Sequence, residues 1–206
     1  MANLTYIHKF LRGKRNTTLL LLHGTGGDEE DMLPLGNAIS PESSLLSPRG
    51  KVSENGMPRF FKRIREGVFD QEDLKFRSLE LSNFVKEAAA TYNFNIDSVI
   101  VVGYSNGANI ATSILLLGYF RFAGAILFRP MTPLIPSKLP NLKGVQVYIA
   151  AGKLDQSVPR IDTERLVAMI QSTNAEVTLK WEADGHAVSG EEIQDAKNWF
   201  DSKLLR

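Results

Sequence analysis

The stretch SVIVVGYSNGANIATSILLL, residues 98–117, decides the fold. It opens on a β-branched run, Ser98 to Val102, that stops at the pattern Gly103-Tyr104-Ser105-Asn106-Gly107. Ile110, Ala111 and Ile114 then follow at helical spacing. An uninterrupted apolar run of this length is what a strand buried on both faces requires. A strand, G-x-S-x-G and a helix in that order make a sharp, strained turn, whose glycines keep side chains clear of the backbone while the hydroxyl of Ser105 stands exposed. The competing view is a glycine-rich turn in which Ser105 is only a helix N-cap.

Working outward, Thr17 to Leu22, Ala123 to Phe128 and Val145 to Ala151 are further short apolar runs and predict buried strands. Leu81, Phe84, Val85 and Ala88 lie on one helical face. Ser189 and Glu192 have capping-box spacing ahead of the stripe Ile193, Ala196, Phe200 and Leu204, so the last element is a helix. Strands that alternate with helices predict an α/β fold: a mostly parallel central sheet flanked by helices on both faces. Tyr6 to Leu11 is expected as an antiparallel edge strand. A length of 206 residues suits a single domain, residues 1–206. Pro48 to Asp73 breaks the rhythm, with Gly50, Gly56, Gly67 and the rings of Phe60, Phe61 and Phe69 among many charges. Long connections of this kind often carry function.

A serine hydroxyl needs a base that takes its proton and returns it to a leaving group. Three histidines are available. His8 lies in the expected edge strand and His23 in a glycine loop, whereas His186 follows the run Val177 to Trp181 and precedes the last helix. An acid that orients the base belongs at a strand end between serine and histidine. Asp155 fits, because it follows Val145 to Ala151 through Gly152-Lys153-Leu154. Its rival, Asp162, falls in the helical pattern Val158, Ile161, Leu166, Met169, Ile170 and is expected to be solvated. The order Ser105, Asp155, His186 is the one expected of an α/β-hydrolase. The loop His23-Gly24-Thr25-Gly26-Gly27-Asp28-Glu29, past the first buried strand, offers open N–H groups, so the amides of Thr25 and Asn106 are the expected oxyanion donors. Met57, Phe60, Phe61 and Tyr104 are the candidate substrate-binding residues, with Phe69 completing an apolar wall over the serine and Arg59 and Lys62 solvated or facing a polar leaving group. There is no room for a large lid, so small acyl groups should fit best.

Other chemistries find little support. Lys and Arg total 24 against 23 Asp and Glu, so no broad field attracts nucleic acid or anionic lipid. The cluster Arg59 to Arg65 is followed at once by Glu66, Asp70, Glu72 and Asp73 and reads as a solvated flap rather than an RNA patch. There is no cysteine, hence no disulfide or thiolate metal site, and no H-E-x-x-H motif occurs. Glu29 stands where a dinucleotide fingerprint needs glycine, and no Gly-Lys pair is followed by Ser or Thr. Met1 to Phe10 lacks the apolar core of a secretory signal, and Arg121 and Gly118 interrupt the most apolar stretch, Ala111 to Phe128, so neither export nor a membrane span is expected.

The segments HGTGGDE, ENGMPRFF, EGVFD, GYSNGANI and AGKLD together resemble the small bacterial carboxylesterase/phospholipase family, especially its branch linked to hydroquinone and quinone stress. The likeness spans nearly the whole chain. It implies an α/β-hydrolase with the triad Ser105, Asp155 and His186 and oxyanion amides from Thr25 and Asn106. It also implies cytoplasmic hydrolysis of small-molecule esters without a metal or organic cofactor, frequently as a homodimer. Leu154 and Arg129 depart from that pattern, which has a polar residue beside the aspartate and a histidine in place of the arginine. The expected activity is a serine carboxylesterase acting on small esters. The alternatives are a thioesterase or a hydrolase of aromatic and quinone metabolism on the same fold, and a binding protein that has lost the chemistry.

Overall fold

A computed structural model describes residues 4–205. Its centre is a seven-stranded sheet. In chain order the elements are β1 (His8–Leu11), β2 (Thr18–Leu22), α1 (Leu33–Ile39), β3 (Ser44–Pro48) and the short strands β4 (Val52–Glu54), β5 (Met57–Arg59), β6 (Arg63–Arg65) and β7 (Val68–Phe69). Then come α2 (Gln71–Tyr92), a 3-10 turn (Ile96–Ser98), β8 (Val99–Tyr104), α3 (Asn106–Leu117) and β9 (Gly124–Phe128). The chain continues through β10 (Gln146–Gly152), α4 (Arg160–Gln171) and β11 (Glu176–Glu182) to α5 (Gly190–Lys203). The sheet order is β1-β3-β2-β8-β9-β10-β11. Only β1, at the edge, runs antiparallel to its neighbour.

The apolar runs are strands because both sheet faces are covered. Leu20 and Leu22 of β2 point with Val101 of β8 and Leu127 of β9 into a core closed by α2, α3 and α4. Their alternates Leu19, Leu21, Val102 and Ile126 point the other way, against Trp199 and Phe200 of α5 and Ile39 of α1. Leu19 to Leu22 are fully buried, each worth about 1.5–3 kcal/mol relative to exposure. Among the described residues, no helix is long and apolar enough to cross a membrane.

Two elements escaped the sequence. Strand β3 offers only Leu45 and Leu46 between Pro41 and Pro48, too little for a periodic signal, yet it pairs parallel with β2. Helix α1 contains Pro34 and Gly36, which read as breakers. Proline is tolerated in the first turn, and glycine lets α1 pack closely on β2, since a Cβ on Gly36 would lie 2.7 Å from a methyl of Leu21. The flap after Pro48 consists of two small hairpins, β4-β5 and β6-β7. At the C-terminus only half of the capping box forms: Ser189 accepts from the Glu192 N–H, but the Glu192 side chain turns inward.

Candidate active site

The carboxyl edge of the sheet gathers the loops that follow β2, β8, β9, β10 and β11, which is where ligands bind in open α/β sheets. After β8 the chain reverses into α3 at Ser105, whose φ of 51° and ψ of −110° lie outside ordinary L-residue space. This is not an N-cap geometry. The Ser105 side chain caps no N–H of α3. The flanking glycines are required by space: a Cβ on Gly107 would lie 2.0 Å from the Leu22 oxygen, and one on Gly103 would lie 2.8 Å from the Ala108 nitrogen.

The freed Ser105 Oγ lies 2.9 Å from His186 Nε2, and His186 Nδ1 lies 2.8 Å from Asp155 Oδ2. A carboxylate only accepts, so Nδ1 carries the hydrogen and Nε2 is left to accept from the serine hydroxyl. Asp155 is pinned in turn. Its Oδ1 accepts from the N–H groups of Ser157 and Val158, and its side chain is 1% exposed. Asp162, expected to be solvated, instead accepts from the Thr132 N–H at 2.7 Å, because the start of α4 packs against the loop after β9. His23 is held as a neutral ring: Nδ1 donates to the Gly24 oxygen, Nε2 accepts from the Gly50 N–H, and burial lowers its pKa below the ordinary value.

The glycine loop lies beside the serine. The Thr25 N–H has no acceptor among the described residues, and the Asn106 N–H, first of α3, has none within its helix. The Asn106 side chain accepts from the Phe60 N–H at 2.8 Å, and Pro58 accepts from the Gly26 N–H, so the flap is tied down on both sides of the serine.

A cavity of 210 Å³ opens over Ser105 and His186, walled by Thr25, Arg59, Arg63, Phe69, Asn109 and Met131 among others. Its walls correct several expectations. Phe60 and Phe61 are fully buried, because their rings complete the core under the flap, Phe60 against His23 and Phe61 against Phe69. Arg59 takes the inward position instead of remaining solvated, with Nη1 donating to Thr25 Oγ1 at 2.5 Å. Met57 is exposed and lies over Gly26. Tyr104 is half-buried with its ring centroid 5.6 Å from that of His186, and its hydroxyl donates to the His186 oxygen at 3.3 Å. A larger cavity, 500 Å³ between Asn16, Asp97, Gln146 and Lys203, lies at the amino ends of the strands, away from this chemistry.

Arg129, which no local pattern marks, holds the loop that carries His186. Its backbone has φ 56°, and its side chain is completely buried. Nε donates to the Gly185 oxygen at 2.7 Å, and Nη2 to the Ala187 oxygen at 2.6 Å and to Glu192 Oε1 at 2.6 Å. The two carbonyls on either side of His186 thus share one guanidinium.

Residues 11–204 match the model of the phospholipase/carboxylesterase family. The chain is 45% identical over 198 residues to MhqD of Bacillus subtilis (strain 168), a hydrolase by name, covering 96% of this chain and 99% of that one. The structure of the Bacillus cereus carboxylesterase superposes with a TM-score of 0.95 at 46% identity, over 98% of this chain and 96% of that chain. That of YahD with malic acid gives 0.91 at 29% identity, over 95% and 98%. The chain therefore belongs to the phospholipase/carboxylesterase family of α/β-hydrolases.

Proposed function

We propose that this hydrolase is a serine carboxylesterase acting on small carboxylic esters through an acyl-Ser105 intermediate. The observation that carries the proposal is the unbroken hydrogen-bonded chain from Asp155 through His186 to Ser105, opening on a compact cavity. Ser105 Oγ attacks the ester carbonyl carbon as its proton passes to His186 Nε2. The electron pair displaced onto the carbonyl oxygen is met by the Thr25 and Asn106 N–H groups and by the positive end of α3. Collapse expels the alcohol, which takes the proton from His186. Water, deprotonated by the same nitrogen, then attacks the acyl carbon and releases the carboxylic acid and Ser105. Every proton is carried by side chains or water, so this sequence requires no cofactor.

The test is labelling with a fluorophosphonate, together with hydrolysis of p-nitrophenyl acetate. One covalent adduct on Ser105 is expected, lost in Ser105→Ala, with turnover lowered by about four decades or more in Ser105→Ala and His186→Ala. An adduct elsewhere, or near-normal turnover in either variant, would overturn the assignment.

A further inference from the structure

Three arginines wall the cavity over Ser105, and they are not equivalent. Every nitrogen of Arg129 donates, in four hydrogen bonds, and Glu192 balances its charge. Arg59 and Arg63 share a single carboxylate, Glu54, which lies on the Nε side of both, at 3.3 and 2.8 Å. Among the described residues, Arg59 Nη2 and both terminal nitrogens of Arg63 have no acceptor. The Arg59 side chain is only 4% exposed. The Arg59 guanidinium has given up most of its water, and its free donors and those of Arg63 are open to a charged acceptor that enters the cavity.

The surroundings set the direction in which a ligand would come. The two arginines also border a second cleft, where the carboxylates of Glu54 and Asp70 offset the charge of Lys62 and leave little net attraction for an anion. On their inner side is the serine cavity, where Glu66 is the other acidic group, exposed to water at its mouth. Burial, and then the nearby charge of Arg63, hold the Arg59 pKa below its ordinary value, so an anion between the two relieves their repulsion.

From this geometry we infer that Arg59 and Arg63 form an anion-binding wall, and that the preferred substrate is an ester carrying a free carboxylate. The inference rests on the reading of Ser105 as nucleophile. Guanidinium groups pair with carboxylates through paired, charge-assisted hydrogen bonds, which a neutral ester group of the same shape cannot replace. The carboxylate can belong to the acyl half or to the alcohol half, and each has its own probe.

For the acyl half, mono-4-nitrophenyl succinate is compared with 4-nitrophenyl methyl succinate. For the alcohol half, 4-acetoxybenzoate is compared with its methyl ester. In one pair the charged ester should have a kcat/KM about 10- to 100-fold above its neutral partner. Arg63→Gln should reduce that ratio at least about fivefold, and added salt should reduce it too. Arg63 is chosen because Arg59 also holds Thr25. A neutral preference in both pairs, or a ratio indifferent to Arg63→Gln, would overturn the inference while leaving Ser105 as nucleophile. If the nucleophile assignment itself failed, none of the four esters would be turned over and the fluorophosphonate would not label Ser105. Circular dichroism of the variant separates loss of binding from loss of fold.

Discussion

The Arg129–Glu192 pair allows stability and activity to be separated. Both side chains are buried, at 0% and 1% exposure, and 2.6 Å apart. Removing one partner from such a pair leaves an uncompensated buried charge, at a cost of about 3–5 kcal/mol. Against a total of about 5–15 kcal/mol for a domain, that is a large fraction. At about 2–4 °C per kcal/mol for a chain of this size, Glu192→Gln should lower Tm by about 6–20 °C. The glutamine amide oxygen can still accept from Nη2, and the Gly185 and Ala187 carbonyls keep their donor, so kcat/KM at 25 °C should remain within about threefold of wild type. Arg129→Met should be equally unstable, and it also releases both carbonyls beside His186. In the double variant Arg129→Met/Glu192→Leu no charge is left buried, so much of the stability should return. Activity should not return, because a base displaced by about 1 Å can lose about 100-fold in rate. Thermal unfolding by circular dichroism and hydrolysis of p-nitrophenyl acetate below the melting range measure the two effects. A Tm within about 2 °C of wild type for Glu192→Gln would mean that the pair is worth no more than a surface one. Full activity in the double variant would mean that Arg129 does not hold the loop that carries His186.

Two further outcomes are expected. Burial lowers the His23 pKa, so the folded chain resists a proton that the unfolded chain accepts; the stability from the neutral ring is complete above about pH 6.5 and is lost as pH falls through the folded value. Tm measured from about pH 7.5 to about pH 5 should decline less steeply in His23→Gln than in wild type, and equal slopes would refute the assignment. The 210 Å³ cavity, with Arg59 and Met131 among its walls, should favour acetyl and butyryl p-nitrophenyl esters over octanoyl and palmitoyl by about tenfold or more in kcat/KM. A palmitoyl preference would require an acyl channel beyond these walls.

What was legible in the sequence is what local physics encodes. Apolar runs without alternation report strands buried on both faces, and each of the four named here became an interior strand of the sheet. The G-x-S-x-G motif reports a turn too tight for side chains, and the Gly103 and Gly107 distances bear that out. Placing Asp155 and His186 near Ser105 followed from strand order, because parallel strands deliver their loops to one edge. The flap resisted such logic. In it Phe60, Phe61 and Arg59 stand side by side, and hydropathy alone puts the rings over a pocket and the arginine in water. The opposite holds, since the rings fill the core under β4-β5 while Thr25 Oγ1 and Glu54 give Arg59 polar partners inside. Whether a charge turns inward depends on a partner, and that partner lies elsewhere in the chain.

Arg129 makes the same point over a longer reach. Its partner Glu192 is 63 residues away, and its acceptors Gly185 and Ala187 are backbone carbonyls that any residue would supply. No periodicity or spacing signals such a pair, and Glu192 looked like the second half of a capping box. Where the resemblance implies histidine, this chain has an arginine long enough to hold both carbonyls that flank His186. A histidine has two ring nitrogens and cannot donate at once to two carbonyls and a carboxylate. A chain with histidine there must satisfy those three acceptors in another way, so the substitution and the inward turn of Glu192 are one arrangement. Arg59, Arg63 and Glu54 form a separate cluster of charges, in which the two arginines line the same cavity. Changes there should alter which ester is cleaved, whereas changes at Arg129 should alter how well any ester is cleaved.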